Sequence, residues 1–175
     1  MIVAIPKRRF LPVLIALSLV ACAGPPAPPP DPGVENLDLD IRLAAVPDGL
    51  LVADNQGTSL QLRPTGENVG GVLWFTVGPE QDGVNLVAAV KAHQEHIEGL
   101  PEGDYKGAQE LQGPLGTAFY SRGRFVEGEV VEEETVLLTI HPSGNRLLTI
   151  SYRYPAGEDS AHRVEQLIEV LSYLE

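Results

Sequence analysis

The chain has 175 residues and carries 24 Asp and Glu against 12 Lys and Arg, a formal charge of −12 with histidine neutral. That field opposes binding to nucleic acid or to anionic lipid headgroups, and leaves basic proteins, cations or simple solvation as its consequences. The single cysteine excludes an intrachain disulfide, and the length suffices for one domain with a real core but not for two ordinary ones.

In chain order, the first nine residues carry Lys7, Arg8 and Arg9 and no acid, and an apolar segment follows from Phe10 to Val20. This is the length of a secretory h-region; a bilayer span takes about 20 apolar residues, and Pro12 interrupts this one early. Residues 1–21 therefore read as a signal peptide. The stretch Leu19-Val20-Ala21-Cys22 resembles the lipobox of bacterial lipoproteins. The resemblance implies a diacylated Cys22, cleavage before it, and a mature chain attached to the membrane through that lipid. Each buried methylene contributes about 0.8 kcal/mol, so two or three acyl chains make a stable anchor. Ala23 follows the cysteine where inner-membrane lipoproteins carry aspartate, which implies the outer membrane, facing the periplasm. Loss of residues 1–21 removes three basic residues and no acid, taking the charge from −12 to −15. Residues 22–36 are then the acylated cysteine and a proline-rich tether. In polyproline II, at about 3.1 Å per residue, Pro25 to Pro32 holds the domain about 30 Å off the lipid.

Residues 37–175 read as one globular α+β domain. Short β-like runs come first, at Leu37 to Val46, Leu50 to Ala53, Ser59 to Leu62 and Val69 to Val77, separated by Pro47-Asp48-Gly49, Asn55-Gln56-Gly57 and Pro64-Thr65-Gly66. Val72, Trp74 and Thr76 alternate with Leu73, Phe75 and Val77, and both sets are largely apolar, so this strand is expected to be buried on both faces. A helix is predicted over Gly83 to Glu98, where Leu86, Val90, His93 and Ile97 recur at helical spacing. Strands are predicted at Tyr105 to Leu111, Thr117 to Val126, Val130 to His141 and Arg146 to Tyr154, the last two joined by "PSGN". A second helix, capped by Ser160 or Asp159, carries Val164, Leu167, Ile168, Leu171 and Leu174 on one side.

This order of early strands, helix, "GPLGTAFYSRGRF", long strand pair and closing "LIEVLSYLE" resembles the PsbP/Mog-type α/β/α sandwich. The resemblance implies a mainly antiparallel sheet flanked by two amphipathic helices, in a group made up of adaptors, assembly factors and lipoproteins more than enzymes.

His93 and His96, three apart beside Glu95 and Glu98, are the only candidates for a metal, and they lack the HExxH order and any Cys/His cluster. A packed His93 and a solvent-facing His96 is the better reading. Arg122 and Arg124 share a strand face with Tyr120 and could clamp a carboxylate or phosphate. A hairpin turning at Glu127-Gly128-Glu129, with Val126 opposite Val130, instead sets Arg124 against Glu132 and Arg122 against Glu134 as structural ion pairs. No G-x-S-x-G elbow and no Gly-rich phosphate loop occurs, so neither a catalytic residue nor a cofactor is expected. The composite expectation is a non-enzymatic envelope lipoprotein that binds another envelope protein or assists assembly. The alternatives are a small-ligand or metal carrier, with Trp74, Tyr120 or Tyr152 lining a pocket, and a cell-envelope hydrolase, for which no pair of catalytic groups can be named.

Overall fold

Apolar alternation punctuated by glycine turns yields nine strands and two helices among the described residues, 32–66, 70–157 and 160–175, of a computed structural model. The leader, Cys22, most of the proline run and the candidate cap Asp159 lie outside the described residues. The strands are β1 (Pro32–Asn36), β2 (Ile41–Ala45), β3 (Leu50–Gln56), β4 (Ser59–Pro64), β5 (Val72–Glu80), β6 (Asp104–Gly113), β7 (Gly116–Glu127), β8 (Val130–Ile140) and β9 (Arg146–Pro155). Helix α1 (Leu86–Glu98) connects β5 to β6, and α2 (Ser160–Tyr173) follows β9. Seven strands form one antiparallel sheet in the order β3-β4-β5-β9-β8-β7-β6, and β1 pairs with β2 separately. The fold class is α+β, as the resemblance implied.

Two boundaries differ from the sequence reading. Pro32–Asn36, assigned above to the tether, is a strand whose partner is β2, so these five residues belong to the folded part. Proline is tolerated there because it occupies the first strand position, where no ladder donor is required. The run from Leu37 to Val46 is not continuous: Leu37–Asp40 turns, with Leu37 82% exposed and Asp40 at φ 54°, and only Ile41–Ala45 is strand.

Strand alternation gives the sheet two different faces. One carries Leu60, Leu62, Leu73, Phe75, Leu137, Ile150 and Tyr152, and packs against Leu167, Val170 and Leu171 of α2 and Ile41 and Leu43 of β2. Fully burying each aliphatic side chain contributes about 1.5–3 kcal/mol, which makes this the main core. The other carries Val136 and Leu138, which pack under Leu86, Ala89 and Val90 of α1. Asn85 caps α1 by accepting from the Ala88 N–H at 3.0 Å. Gly123 lets the helix approach: a Cβ there would sit 2.5 Å from Ile97 Cγ2.

The second face is covered over only part of its width. Helix α1 packs on β6, β7 and β8, as a cylinder about 10–12 Å across must when strands are spaced about 4.8 Å. The expectation that β5 is buried on both sides is therefore corrected. Leu73 and Phe75 are buried, but Trp74 is half-buried and Thr76 exposed. Helix α2 buries the predicted Leu167 and Leu171, with Leu174 just beyond it, but its stripe is rotated away from the rest of the one predicted. Arg163 and Gln166 are buried with Leu167, Val170 and Leu171, while Val164 and Ile168 are half-buried.

Candidate functional site

Strand β7 places Tyr120, Arg122 and Arg124 on the α2 side of the sheet, and their partners on β8 depend on the hairpin turn. That turn has two residues, Gly128 and Glu129, with Gly128 at φ 64°, the first-position glycine of a type II′ hairpin. Val126 consequently faces Val131 rather than Val130, and every pairing below it moves by one residue. The predicted pairs Arg124–Glu132 and Arg122–Glu134 do not form. Arg124 faces Glu133, Arg122 faces Thr135, Glu132 faces Phe125 and Glu134 faces Gly123. A one-residue change of register sends a side chain to the other face; Glu132 and Glu134 therefore lie on the α1 side, away from the arginines.

Glu133 is the residue the arginines converge on. It is fully buried, and its carboxylate accepts from Arg124 Nε at 2.8 Å, Tyr154 Oη at 3.0 Å and Ser160 Oγ at 3.2 Å. Arg122 Nη1 stands farther off, 3.6 Å from Oε1. The hydrogen bond and the charge of Glu133 push Arg124 above its ordinary value. Burial pushes the Tyr154 phenol well above its own, although its contact with Thr135 works the other way. A second polar group lies beside it under α2. Arg163 Nη1 donates to Tyr152 Oη at 2.6 Å, and its guanidinium lies 5.7 Å and 6.0 Å from the ring centres of Tyr152 and Tyr154. Burial also raises Tyr152, with Arg163 opposing. This hydrogen bond, with cation–π attraction at its outer range, explains how a basic residue enters the buried stripe of α2.

On the α1 side, His93 Nδ1 is 2.8 Å from Ser121 Oγ, Tyr105 Oη is 3.0 Å from the same oxygen, and His93 Nε2 is 3.4 Å from Glu134 Oε1. Serine, histidine and glutamate thus sit in a row, but Ser121 is fully buried beneath the helix and His93 is 8% exposed. A nucleophile must be reachable by its substrate, so this chain of contacts fastens α1 to β6, β7 and β8 instead of attacking a bond. His96 is exposed on α1 and does not join His93; among the described residues no three His, Cys, Asp or Glu side chains converge as metal ligands. His141 is buried, bonding the Leu39 carbonyl through Nε2 at 2.9 Å and so tying the β1–β2 layer to the end of β8. His162 is exposed at the start of α2.

Open surfaces border these networks. At the end of α1 a cleft of about 270 Å³ is lined by Leu100, Pro101, Phe125, Val126 and Arg153 among others. Arg153 stacks over Phe125 at 4.6 Å and faces Val72, which lies on the same side of the sheet as Trp74 two residues on. On the α2 side a smaller cleft, about 150 Å³, lies between β6 and β7 beside Tyr120 and Arg122. Sequence reasoning missed Glu133, Tyr154, Arg163 and Ser121. The position of Arg163, four residues before the buried Leu167, was the one available signal for any of them.

No protein-family model and no curated protein matches the chain. Solved structures do. The Ran-binding protein Mog1p of Saccharomyces cerevisiae is similar with a TM-score of 0.51 and 16% identity, over 79% of this chain and 90% of that one. A point mutant of Mog1 gives 0.51 and 15%, over 79% and 88%. LpqN, involved in cell envelope biogenesis of Mycobacterium tuberculosis, gives 0.50 and 14%, over 81% and 83%. The fold is Mog1-like. At these identities the likeness shows the fold alone, and function must be argued from the surfaces.

Proposed function

We propose that this chain is a non-catalytic lipoprotein of the bacterial envelope, anchored through an acylated Cys22, whose Mog1-like domain binds another envelope protein and so assists assembly. The outer membrane, facing the periplasm, is its place in this reading. The leader Lys7 to Val20, the lipobox and the proline run support the anchor, and the similarity of fold to LpqN, an envelope-biogenesis protein, supports the setting. Mog1p, described as Ran-binding, gives a precedent for protein recognition on this fold.

The observation that carries the binding role is the uncovered half of the sheet. Trp74, Val72 and Thr76 of β5 and Thr149 of β9 share the side on which α1 packs, but α1 packs chiefly on β6, β7 and β8 and meets β9 at its Leu147 end. A half-buried tryptophan on the same side of the sheet as the Phe125–Arg153 cleft has the aromatic and arginine content that protein interfaces favour. The buried Ser121 and His93 argue against a hydrolase.

The test is site-specific photocrosslinking in native membranes, with the probe at position 74 and, as a control on a separate part of the surface, at position 42. A single protein adduct from position 74 that is absent from position 42 is the expected result, with diacylglycerol found on Cys22 by mass spectrometry. Equal labelling from both positions overturns the binding surface. An unmodified Cys22 overturns the anchor.

A further inference from the structure

The cleft between β6 and β7 lies on the opposite side of the sheet from Trp74, and its chemistry runs against that of the whole chain. The chain is strongly acidic, yet this cleft is lined by Lys106, Gln109, Tyr120 and Arg122 with the backbone of Gly107 and Ala108, and by no carboxylate.

The hydrogen-bond directions are as one-sided as the charge. Tyr120 Oη donates to Gln109 Oε1 at 3.1 Å, which uses the amide's acceptor and leaves its NH₂ group to the cleft. Arg122 makes no side-chain hydrogen bond among the described residues. The buried carboxylate nearest to it, Glu133, already accepts from Arg124, Tyr154 and Ser160, and Arg122 stays 3.6 Å away. Its guanidinium side chain is 34% exposed and keeps donors free. Lys106 pairs with Asp104 and occupies a β-bulge: the pairing register shifts between Tyr105 and Gly107, and Gly107 has φ 104° with open space where a Cβ would be. Bulges re-aim a side chain out of the ladder, and this one brings Lys106 to the cleft rim. Lys106, Arg122 and Arg124 are three cations set against Asp104 and Glu133, two carboxylates, which leaves one positive charge in excess.

We propose that this cleft binds a single carboxylate group, held by Arg122 and the Gln109 amide with Lys106 at the rim. One negative charge balances the excess, whereas a phosphate dianion adds net negative charge to a chain already rich in it. The volume, about 150 Å³, admits a carboxylate headgroup and little more. The rest of the ligand stays outside.

The group can come from a free small acid or from the terminus of a polypeptide, and one titration separates the two. The full chain in detergent is titrated with acetate, with a tetrapeptide bearing a free C-terminal carboxylate, and with the same peptide amidated, while arginine Nε–H and glutamine side-chain resonances are followed by NMR. Arg122 and Gln109 are expected to shift saturably while Arg42 does not. Arg122→Gln weakens binding about tenfold or more, and Gln109→Leu, which leaves the Glu133 network untouched, weakens it by a smaller factor. Tighter binding of the free-carboxylate peptide than of acetate assigns the site to a chain terminus; equal binding assigns it to a small acid. A response spread evenly over Arg42 and Arg153, affinity unchanged in Gln109→Leu, or equal binding of the amidated peptide overturns the proposal. None of these results depends on the Trp74 surface.

Discussion

Glu133 and Glu134 are consecutive, and both are 9% exposed or less, yet they meet opposite fates because strand alternation sends them to opposite faces. Glu133 points toward α2 and is saturated by a guanidinium, a phenol and a hydroxyl. Glu134 points toward α1 and, among the described residues, has only His93 Nε2 near it, at 3.4 Å, a nitrogen that makes no hydrogen bond. A buried carboxylate is tolerated when its lone pairs are filled, and its removal then strands the donors that filled them. The contrast teaches that β8 is fixed polar-side-down on one face and held mainly by apolar packing on the other.

The largest expected effect follows directly. Glu133→Ala takes the carboxylate away from Arg124 and Tyr154, while Ser160 keeps the Gly157 carbonyl at 3.0 Å and Tyr154 keeps Thr135 Oγ1 at 3.3 Å. It is expected to cost about 3 kcal/mol, the lower end of the range for buried pairs, because these partners remain and Arg124 can turn to water. Glu134→Ala removes a poorly bonded group and is expected to cost about 1 kcal/mol or less. Urea denaturation of both variants at neutral pH checks this, and equal losses would break the comparison.

The α1 face is sharpened by its glycine. In Gly123→Ala the new methyl meets Ile97 Cγ2 at 2.5 Å and Cγ1 at 2.6 Å, atoms of a stiff, fully buried, β-branched side chain. Overpacking of this kind costs about 2 kcal/mol. On the α2 face Gly113→Ala meets Leu171 Cγ and Cδ2, both at 2.8 Å, a smaller overlap with a side chain that is not β-branched, so a smaller loss is expected. Thermal melts of the two variants, with Ile97→Ala as a partner change expected to recover part of the Gly123→Ala loss, test whether packing alone holds α1.

The α2 face has in addition a pH signature. Burial raises the phenols of Tyr154 and Tyr152 above their ordinary value of 10.0. A raised pKa in the folded state means that stability is fully present below pH 10 and is lost as the pH climbs above it, because the unfolded chain gives up those protons first. The melting temperature of the wild type is therefore expected to fall steeply above pH 10. Tyr154→Phe, about 1 kcal/mol less stable at pH 7 for want of the bond to Glu133, should show a shallower fall. Parallel curves would mean that the phenol does not report on this face.

Most of the element order was legible because it is local: alternation marks the strands, and the Leu86, Val90, His93, Ile97 spacing marks α1. The register of β7 against β8 was not, since it turns on whether Glu127 belongs to the strand or the turn, and that single residue moved the arginines from Glu132 and Glu134 to Glu133. β1 was hidden by the prolines before it. The exposed side of β5 was hidden for a different reason, because apolar alternation says which residues can be buried but not how far a helix on a distant connection reaches. The buried Arg163 went unremarked because its burial depends on two tyrosines eleven and nine residues away on another element.

The smallest effect tests the comparison from outside both faces. Arg42 Nε and Glu175 Oε2 are 3.1 Å apart, closer than Arg122 and Glu133 at 3.6 Å, so distance alone ranks the surface pair first. Exposure reverses the order. The Arg42 and Glu175 side chains are 66% and 49% exposed, water and salt screen them, and the Glu175 N–H still bonds the Arg42 carbonyl at 3.0 Å when the side chains are cut back. Arg42→Ala is expected to change stability by no more than about 0.5 kcal/mol, and by less as salt is raised. A loss approaching that of Glu133→Ala would mean that proximity, and not saturation of a buried carboxylate, sets the worth of an ion pair in this fold.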